Sequence, residues 1–111
     1  MQPLEKQQCK PCEGGTPPLA DAEIKDQLRD IPGWAHKDNA IEKTFRFKNY
    51  YETSAFVNAV VWIAHQADHH PDIAFGYKQC TIRYSTHSIG GISSNDLICA
   101  AKVNALQAAE A

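Results

Sequence analysis

The period of the apolar positions changes several times along the chain, and each change predicts an element. Between Asp21 and Asp30, Ile24, Leu28 and Ile31 recur at i, i+4 and i+7, the single stripe of a short helix that Pro32-Gly33 stops. Trp34 and Ala35 open a strand, Asn39 supplies a turn, and a second strand carries Ile41, Lys43, Phe45 and Phe47. There Ile41, Phe45 and Phe47 share one face and Glu42, Thr44, Arg46 and Lys48 the other, so the two strands are expected to pair as an antiparallel hairpin. From Tyr50 to about Asp68 the period is helical again, through Phe56, Val57, Val60, Val61, Ile63, Ala64 and Ala67. Asn49 followed by Glu52 suits the start of this helix, and Pro71 is expected to end it, because proline disfavours helical geometry in the residue before it.

Alternation returns from Ile73 to Tyr77 and from Cys80 to Thr86, with Cys80, Ile82 and Tyr84 on one side and Thr81, Arg83 and Ser85 on the other. Gly90-Gly91 breaks the chain, and Ser93 with Asp96 fits the S-x-x-D signature of a last helix that turns Cys99, Ala100, Val103 and Leu106 inward. The order αββαββα predicts an α+β fold, a four-stranded antiparallel sheet with three helices packed on one face. Residues 1–18 are polar and carry Gly14-Gly15 and Pro17-Pro18, so they are expected to form an extended arm without regular structure before a single domain over 19–111.

Composition narrows the class. A chain of 111 residues fits one domain, and 43% hydrophobic with 22% charged residues excludes a disordered chain. Eleven Lys and Arg against 13 Asp and Glu leave no basic excess for phosphates, so no nucleic-acid partner is expected. The first 20 residues hold no apolar run of the secretory kind. The stretch Ala55 to Ala64 is too short to span a bilayer, so the expectation is a cytoplasmic protein with no membrane partner. Cys9 and Cys12 form a C-x-x-C, a zinc half-site or a redox pair. No second C-x-x-C completes a zinc site and no strand–helix context surrounds this one, so reduced thiols in a flexible arm are expected. Cys80 and Cys99 fall in apolar patterns, as small buried hydrophobes do.

The compositional oddity is five histidines. His69 and His70 stand at the exit of the long helix, immediately before Pro71-Asp72, and His87 stands at the end of the last strand. A metal reading takes His65 and His69, at i and i+4, with His87 as a third ligand. H-Q-A-D-H, however, has Gln66 where a zinc protease carries its Glu base. A bland reading takes them as polar residues at a helix C-terminus, where an imidazolium suits the dipole. The third reading, favoured by three imidazoles at two junctions, is metal-free acid–base catalysis near neutral pH. Asp68 and Asp72 flank the pair and are placed to fix a tautomer or hold one ring protonated. His36, in the first turn, is expected at the surface.

The runs D-H-H-P-D (Asp68 to Asp72), C-T-I-R-Y-S-T-H (Cys80 to His87) and G-G-I-S-S-N-D (Gly90 to Asp96), with Gly76-Tyr77 between the first two, resemble the pterin-4a-carbinolamine dehydratases. The likeness extends through Pro32-Gly33-Trp34 and the N-terminal C-x-P-C-E-G-G, over residues 9–106. It implies dehydration of 4a-hydroxytetrahydrobiopterin to quinonoid dihydropterin, a step in recycling the cofactor of aromatic amino-acid hydroxylases such as phenylalanine hydroxylase. It implies His69, His70 and His87 as the catalytic set; on that basis His70 and His87 are expected to serve as base and acid in either order, with His69 orienting the pterin or sharing one of those roles. Asp68, Ser85, Thr86 and Asp96 then line the pterin pocket, and Ile73 stands where animal members carry a Trp. The family uses no metal, and no cofactor beyond the pterin substrate is expected. His65 departs from the pattern, since many members carry Glu there. The resemblance also implies a homodimer or homotetramer, with a regulatory binding role, as a dimerisation cofactor or a regulator of hydroxylase expression, as the alternative to catalysis.

Overall fold

The computed structural model describes residues 2–10 and 17–110, so Cys12 and Gly14-Gly15 lie outside the described residues. The elements follow in the order α1 (Asp21–Leu28), β1 (Ala35–Lys37), β2 (Ala40–Arg46), α2 (Tyr50–Ala67), β3 (Asp72–Phe75), β4 (Gln79–Tyr84) and α3 (Ser94–Glu110). The strands form one antiparallel sheet in the order β1-β2-β4-β3, as the alternating patterns predict.

Register explains which face is covered. Ile41 pairs with Tyr84, Lys43 with Ile82 and Phe45 with Cys80, and paired residues share a face. Ile41, Phe45, Cys80, Ile82 and Tyr84 are all buried there under helical residues that include Phe56, Val60 and Val103. Phe45 and Phe56 meet with ring centroids 4.7 Å apart, and Trp34 packs edge-on against Phe45 at 6.2 Å. Lys43 is the polar intruder on this face. Its ammonium donates to the Pro32 carbonyl and the Asn104 side chain and lies over the Phe45 ring, so its charge is partnered. The opposite face carries polar cross-strand pairs, Glu42 with Arg83 at 2.9 Å and Thr44 with Thr81 at 2.8 Å.

The boundaries of several elements differ from the sequence expectation, each for a local reason. Helix α2 ends at Ala67, within a residue of the expected limit near Asp68, because Asp68 takes a left-handed conformation at φ 52° ahead of Pro71. Strand β3 ends at Phe75, so Gly76-Tyr77 falls in the turn, and β4 ends at Tyr84. Beyond it, Thr86 and Gly91 make an isolated bridge around a 3-10 turn at His87–Ile89. Phe47 lies just past β2, although its N–H still donates to the Lys78 carbonyl.

The N-terminal segment corrects the picture of an arm without regular structure. It contains a 3-10 turn at Leu4–Lys6, and Leu4 and Cys9 pack against the core. Lys102 on α3 donates to the Glu5 carbonyl at 2.8 Å, and Asn95 binds the backbone of Lys10 through both ends of its amide. Residues 2–10 therefore form a strap along α3.

Candidate active site

The turn after α2 places the first histidine. The Asp68 N–H bonds to the His65 carbonyl and the His69 N–H reaches back to Ala64, the hydrogen-bond pattern of a Schellman motif. Asp occupies the left-handed position that Gly usually takes, a conformation Asp tolerates better than most residues. Pro71 follows the motif and sends the chain into β3. The outcome separates two neighbours in sequence. His69 is turned inward, its side chain 14% exposed, whereas His70 is exposed.

What receives His69 is a buried carboxylate. Its Nε2 lies 2.5 Å from Asp96 Oδ1, and Asp96 is 0% exposed. Asp96 sits in the first turn of α3, where the helix dipole favours a negative charge. Its other oxygen accepts from the Thr86 hydroxyl at 2.8 Å and from the Ser93 N–H at 2.9 Å, and the Thr86 and Ser93 hydroxyls lie 2.7 Å apart. The S-x-x-D signature is thus half a capping box. The carboxylate takes the Ser93 N–H as expected, while the Ser93 hydroxyl serves Thr86. The imidazole also stacks on the Tyr84 ring at 5.7 Å and 11°. The hydrogen bond to Asp96 raises the His69 pKa above the usual histidine value, with burial opposing it and the charges of Asp96, Cys9 and Asp68 assisting.

Two concavities meet at Thr86. One, of about 290 Å³, is lined by Cys9, Asp68, His69, Thr86, Ser88 and Asn95. The other, of about 360 Å³, is lined by Asp72, Arg83, Ser85, Thr86, His87 and Gly91. Of the residues singled out in the sequence, Asp68, His69 and Thr86 share the first and Ser85, Thr86 and His87 the second. Asp96 lies beneath them. His70 is exposed beside His69, and Ile73 is half-buried in β3 opposite Ile82. His65 stands apart, exposed on α2 with its ring 5.4 Å from that of Trp62, and His36 is exposed as expected. Among the described residues, no three His, Cys, Asp or Glu side chains are grouped to hold a metal ion.

Sequence reasoning missed three members of the site. Ser93 was legible only as a cap, Tyr84 only as core, and Cys9 only as a thiol of the arm. Cys9 comes to this cleft through the strap, which no local pattern signals.

Comparison with known proteins gives a consistent result. The family model for pterin 4 alpha carbinolamine dehydratase matches residues 17–106. Several relatives carry the name "Putative pterin-4-alpha-carbinolamine dehydratase". The one from Nitrosomonas eutropha is 58% identical over 93% of this chain and 92% of its own, and the one from Nitrosospira multiformis is 56% identical over 93% and 91%. Among solved structures, a transcriptional coactivator/pterin dehydratase from Brucella melitensis superposes with a TM-score of 0.77. It is 31% identical over 80% of this chain and 97% of its own. A pterin dehydratase-like protein described as a RuBisCO assembly factor in the alpha-carboxysome superposes at 0.55, 27% identical over 66% and 84%.

Proposed function

The chain belongs to the pterin 4 alpha carbinolamine dehydratase family, and on that footing we propose that it dehydrates a 4a-hydroxytetrahydropterin to the quinonoid dihydropterin. The observation that carries this reading is the imidazole of His69 held by buried Asp96 in the wall of a cleft, with exposed His70 beside it and His87 one residue beyond Thr86. Losing water from the carbinolamine takes the proton from N5 and delivers one to the departing 4a-hydroxyl. His70 and His87 perform these transfers, each contributing about a hundredfold or more in rate. His69 orients the pterin, because its Nε2 is committed to Asp96. Asp96 itself is a positioning residue. Both of its oxygens are engaged and it is fully buried, so it acts on the substrate through His69 and Thr86 rather than by contact. Asp68 and Ser85 supply polar contacts to the pyrimidine edge, and Ile73 an apolar one. No metal or further cofactor enters this scheme. The product suits a recycling step that serves aromatic amino-acid hydroxylases, phenylalanine hydroxylase among them.

The test is dehydration kinetics on synthetic 4a-hydroxytetrahydropterin. His70→Ala and His87→Ala are each expected to lose about a hundredfold in kcat or more. Turnover near wild type in both variants would sink the reading, and a loss of activity on chelation would revive a metal centre.

A second reading has its own observation. Val61 and Trp62 are 51% and 59% exposed on the outer face of α2, and the Brucella protein is described as both coactivator and dehydratase. That face suits self-association into a dimer or tetramer or a regulatory partner, and a monomer alone in sedimentation at micromolar concentration argues against the self-association.

A further inference from the structure

The strap brings a second reactive group to the wall of the His69 cleft. Cys9 Sγ lies 3.5 Å from Cys99 Sγ, and these two thiols are 90 residues apart in sequence. A disulfide needs about 2.05 Å between the sulfurs, so a small shift of the half-buried Cys9 side chain closes the gap. Cys99 is 0% exposed on α3 and fixed in the core, which leaves the strap as the partner that moves.

The two thiols are chemically unequal. The Cys99 thiol hydrogen-bonds to Cys9, and this contact, with the nearby positive charges of His69 and Lys102, lowers the Cys9 pKa to about 7 against burial and Asp96. Cys99 is driven strongly the other way by the same contact and by burial. At neutral pH a substantial share of the half-buried Cys9 is therefore thiolate, beside a thiol that keeps its proton, the arrangement of an attacking and a resolving cysteine. Cys80 is the internal contrast, buried in the sheet with its thiol pushed up to about 11.

We propose that Cys9 and Cys99 form a peroxide-responsive dithiol whose oxidation fastens the N-terminal strap covalently to α3 beside the His69 cleft. The Cys9 thiolate attacks one oxygen of hydrogen peroxide, breaking the O–O bond and expelling hydroxide, and becomes a sulfenic acid. That loss of the Cys9 charge removes a main hold on the Cys99 proton; the Cys99 sulfur then attacks the Cys9 sulfur, the S–O bond breaks, and the departing hydroxide leaves as water with the Cys99 proton. In sum, two thiols lose two electrons and two protons, and peroxide is reduced to two waters. The contacts already holding the strap, Asn95 to the Lys10 backbone and Lys102 to the Glu5 carbonyl, keep Cys9 in place for the second step. Oxidation also removes the Cys9 charge that favours the protonated His69, so the strap and the proposed catalytic site are coupled. The dithiol chemistry does not depend on the dehydratase reading, and its test uses no pterin.

The experiment treats the full-length protein with one equivalent of hydrogen peroxide and maps peptides without reduction. A peptide linking Cys9 to Cys99 is expected, reversed by dithiothreitol, retained in Cys12→Ser and lost in Cys9→Ser. Cys9 should react with iodoacetamide at neutral pH at least about tenfold faster than Cys80. In the oxidised protein, tryptic cleavage at Lys6 slows and the His69 titration, followed by NMR, moves to lower pH. A Cys9–Cys12 linkage, a link between chains, or conversion of Cys9 to the sulfinic acid without a link would each overturn the proposal.

Discussion

The two junctions that carry the histidines are built on different principles. At the α2–β3 junction, a capping motif and a buried carboxylate hold one imidazole by its ring nitrogen, and the ring rests on Tyr84. At the β4–α3 junction, the backbone does the holding. Thr86 and Gly91 bridge to each other, a 3-10 turn spans His87–Ile89, and Gly90 closes it at φ 66°. His87 itself is exposed. A group held by side-chain bonds to a buried charge is fixed in position and biased towards its protonated form, whereas a group held only by its backbone is free to turn. The difference matches the division of labour proposed for the site, an orienting His69 and proton-transferring His70 and His87.

The strongest way to break this comparison is to remove the buried charge. Asp96→Ala leaves His69, the Thr86 hydroxyl and the Ser93 N–H without their acceptor, and about 3–5 kcal/mol of stability should be lost in urea denaturation. That is a large part of the roughly 5–15 kcal/mol that holds a domain of this kind. A loss no greater than that of His87→Ala would show that the network is not what builds the junction. Next comes His69→Gln, for which about 2 kcal/mol is expected, since one charge-assisted hydrogen bond goes and Thr86 and Ser93 still serve the carboxylate.

The same pair sets a pH dependence. The folded His69 pKa lies above the ordinary value of 6.5, so the folded state binds this proton more tightly than the unfolded chain does. The stabilisation is therefore complete below about pH 6.5 and is lost as pH rises through the raised folded value. Urea midpoints for wild type should fall between these limits, and His69→Gln should flatten that part of the profile. A wild-type midpoint that rises over the same range would contradict the pairing. At the other junction the effects are smaller. Gly90→Ala has open space for its methyl group but a left-handed backbone, so about 1 kcal/mol is expected from strain alone. His87→Ala should stay within about 0.5 kcal/mol in stability, and its cost should fall on turnover.

Much of this architecture was legible in the chain because it rests on local periodicity. Cys80, Ile82 and Tyr84 alternate with Thr81 and Arg83, and the sheet buries the first set. Phe56, Val60 and Ala64 recur at helical spacing, and α2 buries them. The Asn49 cap was readable too, and its side chain accepts the Glu52 N–H at 2.9 Å. The end of α2 near Asp68 was readable to within a residue, but the left-handed turn that makes it was not, because Pro71 is the stronger local signal and the Asp68 side chain merely tolerates that conformation. The strap was also missed. A polar segment with glycine and proline breakers reads as unstructured when anchors such as Asn95, Lys102 and Cys99 lie about 90 residues away.

The sequence by itself determined the element types, the covered face of the sheet and the family, since period and motif are properties of neighbours along the chain. Tertiary structure alone decided the characters of the functional groups. His69 and His70 are adjacent and chemically identical in the sequence, and one becomes the half-buried partner of a buried carboxylate while the other faces solvent. Cys9 and Cys99 are ordinary thiols until the strap sets them 3.5 Å apart. Proton affinity and nucleophilicity depend on nearby charges and on the water excluded around a group, and both are fixed by residues that are remote in the chain.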